Sequence, residues 1–170
     1  MSETSDTMLC GTRKGLLTLR RRASGWRRER VDFLGIPVVY ACSDPRDGSL
    51  WTSLDHGHWG QKLHRSIDGG VTWEELTPPA YREGDEMKPG EPATLKSLWV
   101  IEPGHCDEPR TLFIGTEPGG LFRSVDGGET SEPLHRECTI VPAGTLEGQL
   151  SQQSDRDPVP LIELDPGGLL

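Results

Sequence analysis

The chain has 170 residues, of which 21 are glycine and 14 are proline, and its formal net charge is −9. This much glycine and proline breaks helices and argues against a helical bundle, a coiled coil or a protein that spans a membrane with helices. The acidic balance argues against general affinity for nucleic acid or for an anionic membrane, so we expect neither as a partner.

The amino-terminal stretch MSETSDTMLC lacks the basic and apolar segments of a secretory signal, so a cytoplasmic location is expected. The four cysteines, at positions 10, 42, 106 and 138, are not spaced as in metal fingers or redox motifs. We therefore expect four reduced thiols. The sequence predicts no bound metal and no cofactor.

The first predicted unit covers residues 8–30. It contains two short β-rich runs, residues 8–12 and 15–19, and then Trp26 after a short turn. It also carries eight basic residues. We interpret its arginine cluster as the solvent-exposed edge of a hairpin, with a phosphate-binding patch as the alternative. The arginines concerned are Arg20, Arg21, Arg22, Arg27, Arg28 and Arg30.

The second predicted unit covers residues 38–77. It has a strand near Tyr40, a Pro/Asp-rich turn, a strand at residues 49–54, a loop and the string LHRSIDGGVTW at residues 63–73. A segment rich in Pro, Glu and Gly follows at residues 78–92. We interpret this segment as an insertion between units, which either folds over a neighbouring site or is a simple surface loop.

The third predicted unit covers residues 97–131 and contains the string LFRSVDGGETS, which begins 58 residues after its counterpart in the second unit. Both strings read apolar-x-R-S-x-D-G-G-x-T, and each follows a β-rich run. Four short strands per unit is the content of one β-propeller blade. We therefore predict an all-β fold over residues 8–131, a partial β-propeller of two to three four-stranded blades.

The pattern S-x-D-G-G-x-T-W resembles the Asp-box, or BNR repeat, of sialidase-like β-propellers. The run from Leu9 to about Thr130 is similar to the N-terminal part of bacterial BNR-repeat proteins labelled exo-α-sialidase or glycosyl hydrolase. Two stretches carry this likeness: GTRKGL at residues 11–16, and residues 101–118 from IEPGH to GTEP. The resemblance implies a sialidase-like propeller.

The repeat itself has a structural explanation. The aspartate can accept hydrogen bonds from backbone N–H groups across a tight turn. The glycines can adopt positive φ values, and the tryptophan ring can be buried between sheets. We therefore interpret these aspartates as structural and not as catalytic or calcium-binding. The predicted structural residues are Ser66, Asp68, Gly70, Thr72 and Trp73 in one copy and Ser124, Asp126, Gly128 and Thr130 in the other.

The last segment, residues 132–170, does not continue the pattern. It has five prolines, no lysine and no clear alternation, and the second string ends in Ser131 where the first has Trp73. We predict an irregular, poorly ordered tail. Two interpretations remain open: an unrelated, out-of-frame sequence after about Thr130, or a divergent blade.

The loops between the second and third strands of the three units are the candidate binding site, because the resemblance implies a ligand mouth on that face. Trp59 can stack on a sugar ring or merely cover a blade edge. Arg13 and Lys14 can bind a carboxylate or pair with nearby acids. A carbohydrate or other small ligand is the expected partner. The candidate ligand-binding residues are Arg13, Lys14, Asp55, His56, His58, Trp59 and Glu117.

The H-x-H pair within this loop has two interpretations. In a strand, His56 and His58 would lie on one face and could ligate Zn²⁺ with Asp55 or Glu117. The alternative, which we prefer, is two solvent-exposed loop histidines.

A catalytic function requires more than the repeat. The resemblance implies an arginine triad, a tyrosine nucleophile and acidic partners, but the chain contains only Tyr40 and Tyr81, and the F/Y-R-I-P motif is replaced by LGIP at residues 34–37. We expect a binding or scaffold module without complete catalytic machinery. The alternative is an exo-α-sialidase-like glycoside hydrolase that is active only when further blades or self-association complete the propeller. Self-association through uncovered blade faces is expected in either case.

Overall fold

The structure, a computed structural model, describes residues 6–134, which lie within one compact unit, Met1–Cys138. The second unit, Thr139–Leu170, lies outside the described residues. The described part consists of antiparallel sheets, and none of its helices is long and apolar enough to cross a membrane. The fold class predicted from the sequence, all-β, is confirmed.

The first sheet has three strands in the order β1-β2-β3. Its strands are β1 (Thr7–Thr12), β2 (Gly15–Arg22) and β3 (Gly25–Asp32). By sequence, β1 corresponds to the second strand of each of the other two predicted units. In the structure it is nevertheless the edge strand of its sheet. Within residues 6–134, the first sheet therefore has no counterpart of the strand that begins each of the other two large sheets.

The second and third large sheets each have four strands that pair in chain order. The second sheet contains β4 (Val38–Ser43), β5 (Leu50–Asp55), β6 (Gln61–Ser66) and β7 (Glu74–Leu76). After a small hairpin of β8 (Glu86–Lys88) and β9 (Glu91–Pro92), the third sheet contains β10 (Ser97–Pro103), β11 (Leu112–Glu117), β12 (Gly120–Ser124) and β13 (Glu132–Pro133).

These two sheets repeat one another in detail. Their first strands carry a register shift at equivalent positions, between Val38 and Tyr40 in β4 and between Leu98 and Val100 in β10. Each sheet is a four-stranded antiparallel meander, which is the topology of a β-propeller blade. The described chain is therefore part of a β-propeller, with two four-stranded blades and one three-stranded sheet before them.

Two clusters of buried side chains lie between successive sheets. Between the first and second sheets, Leu16, Val38 and Leu54 are buried. The cluster between the second and third sheets is larger and contains Trp51, Leu63, Leu76, Leu98, Ile101, Leu112, Ile114 and Phe122. In β11, Leu112 and Ile114 of this cluster alternate with less buried residues, as expected for sheets packed face to face.

The two D-G-G turns, residues 66–72 and 124–130, each contact the preceding sheet. Arg30 of β3 donates a hydrogen bond to the Gly69 carbonyl at 3.0 Å. Arg65 of β6 donates to the Gly127 carbonyl at 2.9 Å. These guanidinium bonds join each sheet to the turn of the next sheet, so the turns take part in inter-sheet packing as well as closing hairpins.

The boundary predicted for the tail differs from the structure. Residues Glu132 and Pro133 form β13 and pair with Arg123 and Phe122 of β12. Leu134 continues this pairing by donating its N–H to the Leu121 carbonyl at 2.9 Å. A proline is tolerated there because β13 is an edge strand. The remaining residues of the predicted tail, 135–170, lie outside the described residues.

Candidate functional site

Three turns lie at one end of the three sheets, because each turn joins the second and third strand of its unit or their equivalents. The first turn is Arg13–Lys14, between β1 and β2, the second spans residues 56–60 between β5 and β6, and the third is Pro118–Gly119, between β11 and β12. The opposite end of the sheets carries the two D-G-G turns. We call the first set the mouth turns.

The β5–β6 turn presents the largest exposed aromatic surface among the mouth turns. Residues Gly57–Trp59 form one turn of 3-10 helix. The Asp55 carboxylate closes this loop by accepting hydrogen bonds from the Gly57 N–H at 3.2 Å and from the Gln61 side chain at 3.1 Å. Trp59 is 72% exposed, and the His58 ring lies edge-on to its ring with centroids 5.6 Å apart.

The two histidines of the H-x-H pair do not lie in a strand. Gly57 and Gly60 adopt positive φ values of 59° and 76°, which bend the chain between β5 and β6. The alternation that would place both rings on one strand face is therefore absent. Within residues 6–134, Asp55, His56, His58 and Glu117 do not bring three metal-ligating atoms together.

The β1–β2 turn exposes both of its basic side chains. The Thr12 hydroxyl donates to the Gly15 carbonyl at 2.7 Å and accepts the Lys14 N–H at 3.1 Å, which fixes the turn. Gly35 donates its N–H to the Lys14 carbonyl at 3.0 Å, so the connection from β3 to β4 reaches the same end of the sheets. Arg13 and Lys14 form no ion pair with any described residue.

The third mouth turn follows a cis peptide bond between Glu117 and Pro118, and the Glu117 side chain is exposed. Sequence reasoning missed the residue that fixes this turn, Tyr81 of the predicted insertion. The Tyr81 hydroxyl bonds to the Thr116 hydroxyl at 2.7 Å and donates to the Pro118 carbonyl. The insertion is therefore anchored at the mouth end.

The D-G-G turns use their carboxylates internally. Asp68 accepts hydrogen bonds from the Ser66 hydroxyl at 2.8 Å and from the Thr72 hydroxyl at 2.6 Å. Both of its carboxylate oxygens also lie within 3.0 Å of the Thr72 backbone nitrogen. The Ser66 hydroxyl in turn accepts the Gly70 N–H at 2.7 Å. The same set of bonds recurs in the second turn among Ser124, Asp126, Gly128 and Thr130.

Hydrogen bonds to these carboxylates stabilise their ionised form. The bonds from Thr130, with smaller ones from Ser124, lower the pKa of Asp126 to about 2. Bonds from Thr72 and Ser66 hold the pKa of Asp68 well below its ordinary range. A carboxylate so engaged is poorly suited to transfer protons at neutral pH.

Trp73 lies at the end of its D-G-G turn and is half-buried. Its ring packs edge-on against Phe33 with centroids 5.2 Å apart, next to the first core cluster. Its indole nitrogen is buried without a hydrogen-bond partner among the described residues. The third sheet has Ser131 at the equivalent position.

Neither tyrosine hydroxyl has a lowered pKa. Burial, together with Cys42 and Glu102, raises the pKa of Tyr40 above its ordinary value. Burial raises the pKa of Tyr81, whose hydroxyl is already bonded to Thr116. A tyrosine nucleophile requires an adjacent base or a lowered pKa.

Comparison with solved structures finds similarity in backbone structure. No protein-family model matches the chain, and no curated protein matches it at a significant level. A solved structure described as YCF48 bound to D1 peptide is 15% identical in sequence and superposes with a TM-score of 0.49. The match covers 75% of this chain and 36% of that chain, so the chain spans about a third of the length of that structure.

Proposed function

We propose that this chain is a β-propeller module of the BNR/Asp-box type, and that it binds a carbohydrate or other small ligand at the mouth turns. The observation that carries the proposal is Trp59, a residue that is 72% exposed beside His58 at the mouth end of the sheets. An exposed indole offers a flat apolar face for a sugar ring, and its N–H can donate to a hydroxyl.

The polar groups around the mouth suit an anionic or polyhydroxylated ligand. Arg13 and Lys14 are exposed and unpaired among the described residues, so their donors are available for a carboxylate. Asp55 and Glu117 are exposed acceptors for hydroxyl groups. These groups stand on turns fixed by their own hydrogen bonds, which lowers the conformational cost of binding.

Binding is better supported than hydrolysis. Both tyrosines of the chain have raised pKa values, and the aspartates of the D-G-G turns are engaged in the turns. The glycoside hydrolase alternative therefore depends on groups from further blades or from a second copy. Under that alternative the mouth turns would bind substrate without supplying the nucleophile.

A titration with sugars tests the binding proposal. Sialic acid, glucuronic acid and a neutral hexose are titrated into the purified chain and followed by calorimetry. Trp59→Ala should weaken binding about fivefold, because stacking of this kind contributes about 1 kcal/mol. Trp26→Ala is the matched control, since Trp26 lies on β3 next to the opposite hairpin.

Arg13→Ala separates acidic from neutral ligands. It should weaken binding of the two acids and leave the neutral hexose unchanged, whereas Arg27→Ala on β3 should change neither. If no sugar binds, or if Trp59→Ala and Trp26→Ala behave alike, the binding proposal is wrong. Release of fluorophore from a fluorogenic sialoside would instead support the hydrolase alternative.

A further inference from the structure

The turn between β10 and β11 lies at the end of the sheets opposite the mouth turns and brings three metal-ligating side chains together. One ligand atom each from His105, Cys106 and Asp107 lies within 4.8 Å of the other two. We propose that these three residues form a surface site for a divalent transition-metal ion of the zinc class.

The distances suit a small tetrahedral ion. The Cys106 Sγ lies 3.7 Å from His105 Nδ1. In a tetrahedral zinc site with Zn–S near 2.3 Å and Zn–N near 2.05 Å, sulfur and nitrogen ligands stand about 3.6 Å apart. The Asp107 carboxylate already contacts His105 Nδ1, so a small side-chain movement admits an ion between them.

The kinds of ligand select the metal. A thiolate and an imidazole favour zinc, cobalt or copper over magnesium or calcium, which prefer oxygen ligands. Three protein ligands leave a fourth position for water or for another ligand. The side chains of His105 and Asp107 are 73% and 77% exposed, so an ion reaches the site directly from solvent.

The backbone of this turn is fixed before any ion binds. Glu108 donates its N–H to the His105 carbonyl at 2.9 Å, and Thr111 donates to the Glu108 carbonyl at 3.0 Å. Arg46 of the second sheet donates to both the Glu108 and Thr111 carbonyls. Since these bonds do not involve the three ligating atoms, the turn keeps its shape while the side chains close on the ion.

The corresponding turn of the second sheet shows that the repeat does not need these residues. There Asp44 pairs with Arg46 at 2.6 Å and is buried, and the turn has neither histidine nor cysteine. The ligating set is therefore an addition to the third sheet alone among the described sheets.

Binding of the ion releases a proton from the site. The ion forms bonds to the Cys106 sulfur, to a His105 ring nitrogen and to an Asp107 oxygen, and the thiol proton is released to solvent. The apparent affinity for the ion should therefore rise with pH, because binding releases a proton.

The reduced full-length protein is titrated with Zn²⁺ against a chromophoric chelator and with Co²⁺ by absorption. We expect one equivalent, with a near-ultraviolet thiolate-to-cobalt band. His105→Ala, Cys106→Ser and Asp107→Ala should each weaken Zn²⁺ binding about tenfold or more, because even loss of a supporting partner costs about 10–100-fold. Cys10→Ser, Cys42→Ser and Cys138→Ser are matched thiol controls and should bind as the wild type does.

Thiol protection gives a readout that does not depend on variants. Stoichiometric Zn²⁺ should slow alkylation of the Cys106 peptide, as measured by mass spectrometry, and leave the Cys10 peptide unaffected. Two results would overturn the proposal: Zn²⁺ binding that survives Cys106→Ser, and binding abolished by His56→Ala/His58→Ala but not by His105→Ala. Failure of the chain to compete with the chelator would do the same.

Discussion

Asp126 illustrates how one side chain stabilises a tight turn through its charge. Its oxygens accept the Thr130 N–H at 3.0 and 3.1 Å and the Thr130 hydroxyl at 2.5 Å. These bonds favour the ionised carboxylate and lower the pKa of Asp126 to about 2 from an ordinary 3.8. The folded state therefore binds fewer protons than the unfolded state between these two values.

The sign of the pH dependence follows from this difference. Stabilisation by Asp126 is complete above the unfolded-state pKa near 3.8 and is lost as the pH falls toward 2. Asp126→Asn should lower the free energy of unfolding at pH 7 by about 1–2 kcal/mol, because a charged acceptor is replaced by a neutral one. The difference from wild type should shrink between pH 4 and pH 2.

Urea unfolding at several pH values measures this effect. Glu129→Gln is the control, since Glu129 lies in the same turn and its exposed side chain forms an ion pair with Arg65 at 3.5 Å. It should change stability little at any pH. If Asp126→Asn lowers the free energy of unfolding equally at pH 7 and pH 2, the stabilisation does not come from the ionised carboxylate.

At the scale of elements, glycine in a D-G-G turn has two separable functions. Gly69 has φ of 70° and open space around a Cβ position. Gly128 has φ of 89°, and a Cβ there would lie 2.9 Å from the Trp51 ring of the preceding sheet. The first glycine is needed for backbone conformation, whereas the second is also needed for sheet packing.

Alanine substitutions should separate the two functions. Gly69→Ala should destabilise the fold by about 1 kcal/mol, the usual cost of a side chain in the left-handed region. Gly128→Ala should cost about 1–3 kcal/mol more because of overpacking against Trp51. Thermal unfolding measures both losses of stability. The near-ultraviolet circular dichroism of Trp51 should change in Gly128→Ala but not in Gly69→Ala. Equal losses in the two variants would show that the close approach is unimportant.

The first turn of the second sheet is joined to the third sheet by a buried ion pair. Asp44 is 2% exposed and lies 2.6 Å from Arg46, which donates across to the Glu108 carbonyl at 2.5 Å. Arg46→Met should destabilise the fold by about 3–5 kcal/mol, because the Asp44 charge stays buried without its partner. Chemical denaturation measures the change.

A double variant tests the cause of this loss. Asp44→Asn/Arg46→Met removes the buried charge as well, so it should recover part of the stability that Arg46→Met loses. The stability that the double variant does not recover measures the hydrogen bonds from Arg46 to the third sheet. If the double variant is no more stable than Arg46→Met, the unpaired charge is not the cause.

The elements differed in how well the sequence predicted them. The four-strand units and the side-chain bonds of the D-G-G turns follow local patterns that occur twice, so they could be predicted. Trp59 and its neighbours could be placed at the mouth end because the strand order fixes which end each turn occupies. The H-x-H pair lies in a loop, which was the preferred of its two interpretations, because Gly57 and Gly60 bend the backbone there.

Long-range partners could not be predicted. Tyr81 bonds to Thr116, which is 35 residues away, and Arg46 bonds to Glu108, which is 62 residues away. A single sequence has no local pattern that pairs such positions. The strand at Glu132–Pro133 was missed for a related reason, since it is set by pairing with β12 and not by its own composition.

At the scale of the whole molecule, the repeat shows which surface lacks a neighbour. In the second sheet, Trp51 and Leu63 are buried against the third sheet, with 3% and 0% exposure. Their equivalents in the third sheet are Phe113 and Leu121, and Leu121 is 46% exposed. No described residue covers this face of the third sheet, which includes Val100 in the same cross-strand row.

An apolar sheet face of this kind favours association with a second copy of the chain. We expect sedimentation velocity to show concentration-dependent association of the wild type. Leu121→Lys should weaken it, because the introduced charge would be desolvated in the interface. Leu34→Lys is the control, since Leu34 is 82% exposed and lies in the connection between β3 and β4. A wild type that stays monomeric at all concentrations, or a Leu121→Lys variant that associates as the wild type does, would show that this face does not mediate association.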